Sequence, residues 1–125
     1  MLNEKKWKTV KKYTFSKINI SFICKIKKTH PNYFVKVLIT SPCSASVIIK
    51  YGIKSWPIWE CDPSKFQWNY DDKEICLIIE GQAKISTQNG DIYVIKAGDL
   101  VEFPAGLNCE WEVTKSIKKH YRLGS

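Results

Sequence analysis

From residue 44 onward, apolar residues come in short runs that are separated by turn-forming residues. The run "EICLIIE" (74–80) ends at Gly81, "QAKIST" (82–87) alternates between apolar and polar positions, and "DIYVIKA" (91–97) follows Asn89-Gly90. An Asn-Gly pair between two β-type runs is a strong hairpin signal. The pattern therefore predicts two strands joined by a tight turn.

Turn-forming residues continue to separate short apolar runs as far as residue 123. Gly98-Asp99 precedes "LVEF" (100–103), a Pro-Ala-Gly turn precedes "CEWEV" (109–113), and "IKKHYRL" (117–123) comes last. The run "SVIIKY" (46–51) is short and β-branched, and residues 44–125 show no helical periodicity of useful length. Seven or eight short strands at intervals of ~8–12 residues are typical of an all-β sandwich or barrel.

Size and composition fit one domain. The chain has 125 residues, of which 44% are hydrophobic and 13% aromatic, enough for a compact core. No run of ~18 or more apolar residues occurs, so no membrane span is expected. The five cysteines are an odd number without a C-x-x-C spacing. This favours free thiols in a reducing, intracellular compartment over a zinc ribbon or a disulfide framework.

Charge is distributed unevenly along the chain. Residues 1–55 hold 12 lysines and one acid, giving +11, whereas residues 56–125 hold seven lysines, one arginine and 11 acids, giving −3. The two parts sum to the net charge of +8. The basic character therefore belongs to the N-terminal part. Because no aromatic RNA-binding motif is present either, we do not expect a nucleic-acid partner.

We predict a basic N-terminal extension over residues 1–43 and one domain over residues 44–125. The extension is rich in Lys, Ser, Thr and Ile, a composition typical of an organelle-targeting segment, for example a plastid one. Two alternatives stay open. The runs "NISFICKI" (19–26) and "FVKVLIT" (34–40) fit extra strands, and the lysines fit an arm for anionic surfaces. Without targeting, a cytoplasmic protein is expected.

Two glycine-anchored stretches carry a family resemblance. They read Trp68-x-Tyr70-x3-Glu74-x6-Gly81 and Gly98-x5-Pro104-x-Gly106-x2-Cys109-x3-Val113. These spacings resemble the two motifs of the cupin superfamily. The segments "WPIWECDPSKFQWNY", "EGQAKIS" and "AGDLVEFPAG" are similar to single-domain cupins related to (S)-ureidoglycine aminohydrolase. The resemblance covers about residues 44–123. It implies a small all-β cupin, an RmlC-like jelly-roll barrel (double-stranded β-helix).

The resemblance also implies where a metal would be bound. The four ligand positions of the cupin motifs fall on Trp68, Tyr70, Glu74 and Cys109, and only Glu74 matches the pattern. An indole N–H is solely a donor, whereas a phenol or a thiol must lose its proton to bind a metal. We therefore expect no metal cofactor. If a divalent metal binds nevertheless, Glu74, Tyr70 and Cys109 are the candidate ligands.

Strand alternation places several of these side chains inside the expected barrel. The predicted ligand-binding residues are Trp68, Tyr70, Glu74, Cys76, Cys109, Trp111 and His120. A carboxylate among aromatic rings loses hydration and needs a partner. Tyr70, a lysine, His120 or a ligand amine above Trp68 and Trp111 could supply it. Trp56, Trp59 and Phe66 are expected to cap the open end of the barrel or to line a rim.

The leading hypothesis is a cupin that binds a small polar or nitrogen-containing molecule around Glu74. The structural alternative is that Glu74 only ties strands together. Three further hypotheses remain open: a metal-dependent enzyme of nitrogen metabolism similar to ureidoglycine aminohydrolase, a Cys109 nucleophile with His120 as its base, and a homodimer formed through sheet edges. Whether the protein is an enzyme is left undecided by the sequence.

Overall fold

The computed structural model describes residues 36–124, and this part of the chain is almost entirely β-structure. Its seven strands are β1 (Leu38–Thr40), β2 (Ile58–Cys61), β3 (Ser64–Asn69), β4 (Glu74–Thr87), β5 (Ile92–Lys96), β6 (Leu100–Phe103) and β7 (Asn108–Leu123). One short helix, α1 (Ala45–Lys50), and a 3-10 helix, Ile53–Ser55, precede β2. The all-β prediction is confirmed.

All seven strands belong to one antiparallel sheet that rolls up around β4 and β7. The main path through the sheet is β1-β6-β4-β7-β2, with β3 also pairing with β7 and β5 with β4. The strands β4 and β7 run side by side, from Glu74 opposite Leu123 to Thr87 opposite Cys109. Each of these two strands also carries two shorter strands on its other edge, so side chains from distant parts of the chain meet inside the barrel.

Gly81 is where β4 bends. The pairing of β4 with β7 shifts register between Ile78 and Ala83, and Gly81 has a φ of +89°. A Cβ atom at this position would lie 2.1 Å from the carbonyl oxygen of Ser116, so only glycine fits. The prediction that a strand ends at Gly81 is wrong, because a β-bulge absorbs the glycine and β4 continues to Thr87.

Two further boundaries differ from the prediction. The runs "CEWEV" and "IKKHYRL" are parts of the single 16-residue strand β7. The run "SVIIKY" is not a strand, because most of it forms α1. The Ser44 side chain caps this helix by accepting a hydrogen bond from the Val47 N–H at 3.3 Å, and Gly52, with a φ of +59°, ends the helical segment. Local capping thus outweighs the β-propensity of Val and Ile.

The predicted Asn89-Gly90 hairpin is confirmed. Residues 92–96 pair with residues 82–86, Gly90 has a φ of +88°, and its N–H donates to the Thr87 carbonyl at 2.9 Å. A positive φ at the glycine is what tight hairpin turns of this kind need.

Residues 36–43 pack onto the barrel. Leu38 pairs with Glu102 of β6, Val37 is buried in the core, and the Cys43 N–H donates to the Gly98 carbonyl at 2.8 Å. This part of "FVKVLIT" is therefore an extra strand. The run "NISFICKI" and the predicted targeting segment lie outside the described residues. Within residues 36–124, no helix is long and apolar enough to cross a membrane.

Candidate functional site

Six aromatic rings form a continuous wall inside the barrel. This aromatic wall consists of Trp59, Phe66, Trp68, Tyr70, Phe103 and Trp111, contributed by β2, β3 and its C-terminal flank, β6 and β7. Tyr70 stacks on Phe103 with ring centroids 4.8 Å apart, and Phe66 stacks on Trp111 at 6.0 Å. The Trp111 indole Nε1–H donates to the Tyr70 hydroxyl oxygen at 3.2 Å, which fixes both side chains.

An ion pair lies within this wall. The ammonium Nζ of Lys119 is 2.5 Å from Oε2 of Glu74, and the two residues are only 5% and 3% exposed. Glu74 begins β4, whereas Lys119 lies opposite Ile78 in β7, so the long lysine side chain spans the distance between the two positions. Of the partners expected for Glu74, the structure therefore contains a lysine, Lys119.

The Lys119 ammonium also faces three aromatic rings. It lies 4.8 Å from the ring centroid of Trp111, 4.9 Å from that of Trp59 and 5.8 Å from that of Phe103. Aromatic faces attract cations within about 6 Å of the ring centroid. We call Glu74 together with Trp59, Phe103 and Trp111 the ammonium cage.

The electrostatics of the interior keep Lys119 charged. Burial by itself would lower the pKa of the Lys119 ammonium, but the Glu74 carboxylate, with smaller contributions from Cys76 and Tyr121, outweighs this and raises the pKa above its ordinary value of 10.5. At neutral pH the barrel therefore contains a charged pair of opposite sign.

The neighbouring phenol and thiol stay protonated. Burial raises the pKa of the Cys76 thiol from 9.0 to about 12; the Lys119 ammonium opposes this shift and the Glu74 carboxylate adds to it. Burial, and then the charge of Glu74, hold the pKa of the Tyr70 hydroxyl well above 10.0. Neither group is therefore a ready anionic ligand or nucleophile at neutral pH.

The structure brings six of the seven predicted ligand-binding residues together. Trp68, Tyr70, Glu74, Cys76, Cys109 and Trp111 are all buried in the interior. His120 is not among them, because it lies on the opposite face of β7 from Lys119, where its Nδ1 is 2.9 Å from the Trp56 carbonyl oxygen. The structure therefore does not support the predicted Cys109–His120 pair.

The sequence did not identify Phe103 of the ammonium cage or its occupant Lys119 as site residues. Phe103 was treated only as part of a strand. Strand alternation put Lys118 and His120 on one face and Lys119 and Tyr121 on the other, but it was His120 that was predicted to face the ligand. One signal did exist: Ile117, Lys119 and Tyr121 share a face of β7, and the two residues that flank the lysine are apolar or aromatic. A lysine between such residues on one strand face is expected to point inward.

The interior does not fit the metal site that the cupin motifs imply. Of the four ligand positions, Trp68 has no lone pair to offer, Tyr70 is held protonated, and the Glu74 carboxylate already binds an ammonium. Within residues 36–124, no group of three or more His, Cys, Asp or Glu side chains is arranged to hold a metal ion. The four cysteines in this range form no disulfide with one another.

A concave surface lies outside the barrel, beside α1. A groove of about 400 Å³ is lined by Ala45, Ile48, Ile49, Gly52, Lys54 and Ser55. Its lining is mostly apolar and its charged residue, Lys54, is exposed. Because ligand sites combine apolar walls with converging polar groups, the barrel interior is the stronger candidate.

Comparisons with known proteins agree with this architecture. Residues 50–121 match the family model described as the EutQ-like cupin domain. Among solved structures, the chain is similar to a DUF861 family protein from Thermotoga maritima, with 42% identity and a TM-score of 0.69. The alignment covers 70% of this chain and 99% of that one.

Two EutQ proteins show a more distant similarity. A putative ethanolamine utilization protein Q from Salmonella typhimurium has 25% identity and a TM-score of 0.50, over 54% of each chain. The EutQ protein of Clostridium difficile has 22% identity and a TM-score of 0.50, over 54% of this chain and 52% of that one, a likeness of fold alone. The alignments thus span about half the length of these two proteins. No curated protein matches the chain. The family match over residues 50–121 and the 42% identity together show that the chain belongs to the EutQ-like cupin family.

Proposed function

We propose that the barrel interior binds a small polar or nitrogen-containing molecule at the Glu74–Lys119 pair, without a resident metal. The observation that carries the proposal is an ion pair more than nine-tenths buried among aromatic rings. Removing two charges from water costs several kcal/mol per ion, and well-packed apolar residues in their place are often as stable or more stable. A buried pair is therefore better explained by a role in recognition than by stability alone.

We expect a ligand to approach the pair past the outer part of the aromatic wall. Trp59 and Phe66 are half-buried, whereas Trp111 behind them is 1% exposed. Trp59 faces the Lys119 ammonium, with its ring centroid 4.9 Å from Nζ. A ligand entering there would stack on these rings and meet a hydrogen-bond acceptor on Glu74 and donors on Lys119. The name of the Salmonella relative refers to ethanolamine, a small polar amine, which fits this chemistry.

The alternative, a metal-dependent enzyme similar to ureidoglycine aminohydrolase, has weaker support. It requires a metal to activate the substrate, and the only matching ligand, Glu74, is neutralised by Lys119. A Cys109 nucleophile would need a base that His120, on the opposite face of β7, does not provide.

Titration of the wild-type protein with small molecules tests the proposal. Suitable probes are ethanolamine, glycine, urea and acetate, with intrinsic tryptophan fluorescence and thermal unfolding as readouts, because three tryptophans line the interior. We expect at least one probe to give a saturable fluorescence change and a rise in melting temperature.

The matched variants are Glu74→Gln and Glu80→Gln. Both residues lie on β4, but Glu80 is exposed and pairs with Lys118 at 4.0 Å. The response should disappear in Glu74→Gln and persist in Glu80→Gln. Equal responses in the two variants, or no response from the wild type to any probe, would refute the proposal.

A further inference from the structure

Lys119 occupies surroundings that proteins use to recognise ammonium ligands. Three ring centroids lie within 5.8 Å of its Nζ, and a carboxylate oxygen accepts a hydrogen bond from it. Within residues 36–124, Glu74 is the one hydrogen-bond acceptor of this ammonium, and three ring faces lie around it, with Cys76 and Tyr121 near enough to act on its pKa. Aromatic rings with a carboxylate form a site for a cation with N–H donors.

We propose that the ammonium cage is a binding site for the primary ammonium group of a small amine, and that Lys119 is its tethered occupant. An amine ligand binds by displacing the Lys119 Nζ from Glu74 and the three rings. This inference rests on the proposed function and names its ligand class, a protonated primary amine.

The charge at Glu74 supports this inference. Glu74 is the one metal-ligand position of the cupin motifs at which this chain keeps the motif residue. In a metal-binding cupin this carboxylate would bind a metal cation, whereas in this chain it binds the ammonium of Lys119. A cation that hydrogen-bonds through N–H groups and stacks on rings is an organic cation rather than a divalent metal, which would require more oxygen, nitrogen or sulfur ligands.

The tethering of Lys119 allows a free amine to displace its ammonium, but it makes the binding of that amine weak. The ammonium of Lys119 is carried by a flexible four-carbon chain, and one wall of the cage, Trp59, is half-buried. A tethered group competes with free ligand at an effective concentration in the millimolar range. Free amines should therefore bind the wild type weakly and bind more tightly when the tethered ammonium is removed.

The test uses the variant Lys119→Ala and the probe n-propylamine. The substitution removes three methylene carbons and the ammonium, which is the size of n-propylamine. The probe is protonated at pH 7.5, as a lysine side chain with a pKa of about 10.4 is. We expect Lys119→Ala to melt at a lower temperature than the wild type. Propylammonium should raise this melting temperature by several degrees in a saturable manner, with an affinity at least about tenfold higher than for the wild type.

Three controls isolate the cage. The neutral 1-propanol should have no saturable effect on Lys119→Ala. Lys118→Ala, which removes the neighbouring half-buried lysine, should respond no more than the wild type. The double variant Glu74→Gln/Lys119→Ala should lose the response. An equal effect of 1-propanol, or a propylammonium response that survives in the double variant, overturns the inference.

A variant that fails to fold still gives a result. If Lys119→Ala is unfolded in buffer, propylammonium should restore its near-ultraviolet circular dichroism while 1-propanol does not, and failure to restore it overturns the inference. If the wild type binds ethanolamine or glycine in a Glu74-dependent manner but Lys119→Ala ignores propylammonium, the inference falls and the proposed function stands. If neither protein responds, both fall.

Discussion

At the scale of single residues, the pair inside the barrel differs from the ion pairs on its surface. The side chains of Lys119 and Glu74 are 6% and 4% exposed, whereas those of Lys84 and Glu112 are 44% and 37% exposed. Exposed pairs contribute about 0–1 kcal/mol to stability, but removing one partner of a buried pair leaves an uncompensated charge in a poorly solvated interior. The two kinds of pair should therefore respond differently to substitution.

The first prediction concerns this contrast. Glu74→Gln and Lys119→Met should each lower the free energy of unfolding by about 3–5 kcal/mol, because each leaves one buried charge unpaired. The double variant should be more stable than either single variant, since no unpaired charge remains. Urea denaturation measures all three, and Glu112→Gln should change stability by less than about 1 kcal/mol. Additive losses in the double variant would show that the two side chains do not interact.

The second prediction concerns alkaline pH. The folded protein keeps the Cys76 proton up to a pKa of about 12, whereas the unfolded chain loses it near 9.0, so the native state binds more protons between these values. Stability should therefore fall with rising pH above 9, by about 1.4 kcal/mol per pH unit from this thiol. The raised pKa values of Tyr70 and Lys119 act in the same direction above pH 10.

A Cys76→Ala variant provides the control for the alkaline effect. Its free energy of unfolding, measured in urea from pH 7 to 10, should fall less between pH 9 and 10 than that of the wild type, with a remaining loss from Cys43, whose pKa burial also raises. If wild type and variant lose stability in parallel between pH 9 and 10, Cys76 is not the group responsible.

The sequence predicted which side chains face the barrel interior better than it predicted which of them contact each other. Glu74 and the neighbouring aromatics could be assigned because motif spacing and strand alternation fix which side chains share a face. The Glu74–Lys119 contact joins residues 45 positions apart, and its formation depends on the register of β4 against β7. The pattern along β7 could indicate that Lys119 points inward, but not that it reaches Glu74, because local patterns carry no information about such a register.

At the scale of elements, turn chemistry predicted the hairpin but not the lengths of the long strands. Asn89-Gly90 needs only local backbone preferences, which the residues themselves supply. The continuity of β4 through Gly81 depends instead on β7, whose backbone approaches so closely that a side chain has no room. The helix α1 was missed for a related reason, since one capping serine decided the outcome for a β-branched run.

The third prediction tests the role of Gly81. Gly81→Ala should destabilise the protein more than Gly98→Ala does. Both glycines have positive φ values, +89° and +98°, but only at Gly81 does an added Cβ meet backbone atoms, the closest at 2.1 Å. The conformational cost of positive φ, about 1–2 kcal/mol, is shared by the two variants, so the difference between them measures the clash. Equal urea midpoints with unchanged m-values would show that β4 and β7 are not in close contact there.

At the scale of the whole molecule, family membership establishes the barrel but not its chemistry. The same fold supports unrelated functions, so function has to be argued from the side chains that line the interior. In this chain the cupin ligand positions hold Trp68, Tyr70, Glu74 and Cys109, and the positive charge inside the barrel is Lys119. Organelle targeting stays a prediction, because it concerns residues outside the described range. The homodimer also stays a prediction.

The most direct test of the central claim is nuclear magnetic resonance of the Lys119 side-chain ammonium in the wild-type protein. We predict a 15N-coupled ammonium signal that exchanges slowly at pH 7, is absent in Glu74→Gln and changes when ethanolamine is added, while the half-buried Lys118 exchanges rapidly. A Lys119 ammonium that exchanges as fast as Lys118, or a slow signal that neither Glu74→Gln nor ethanolamine alters, would contradict the account.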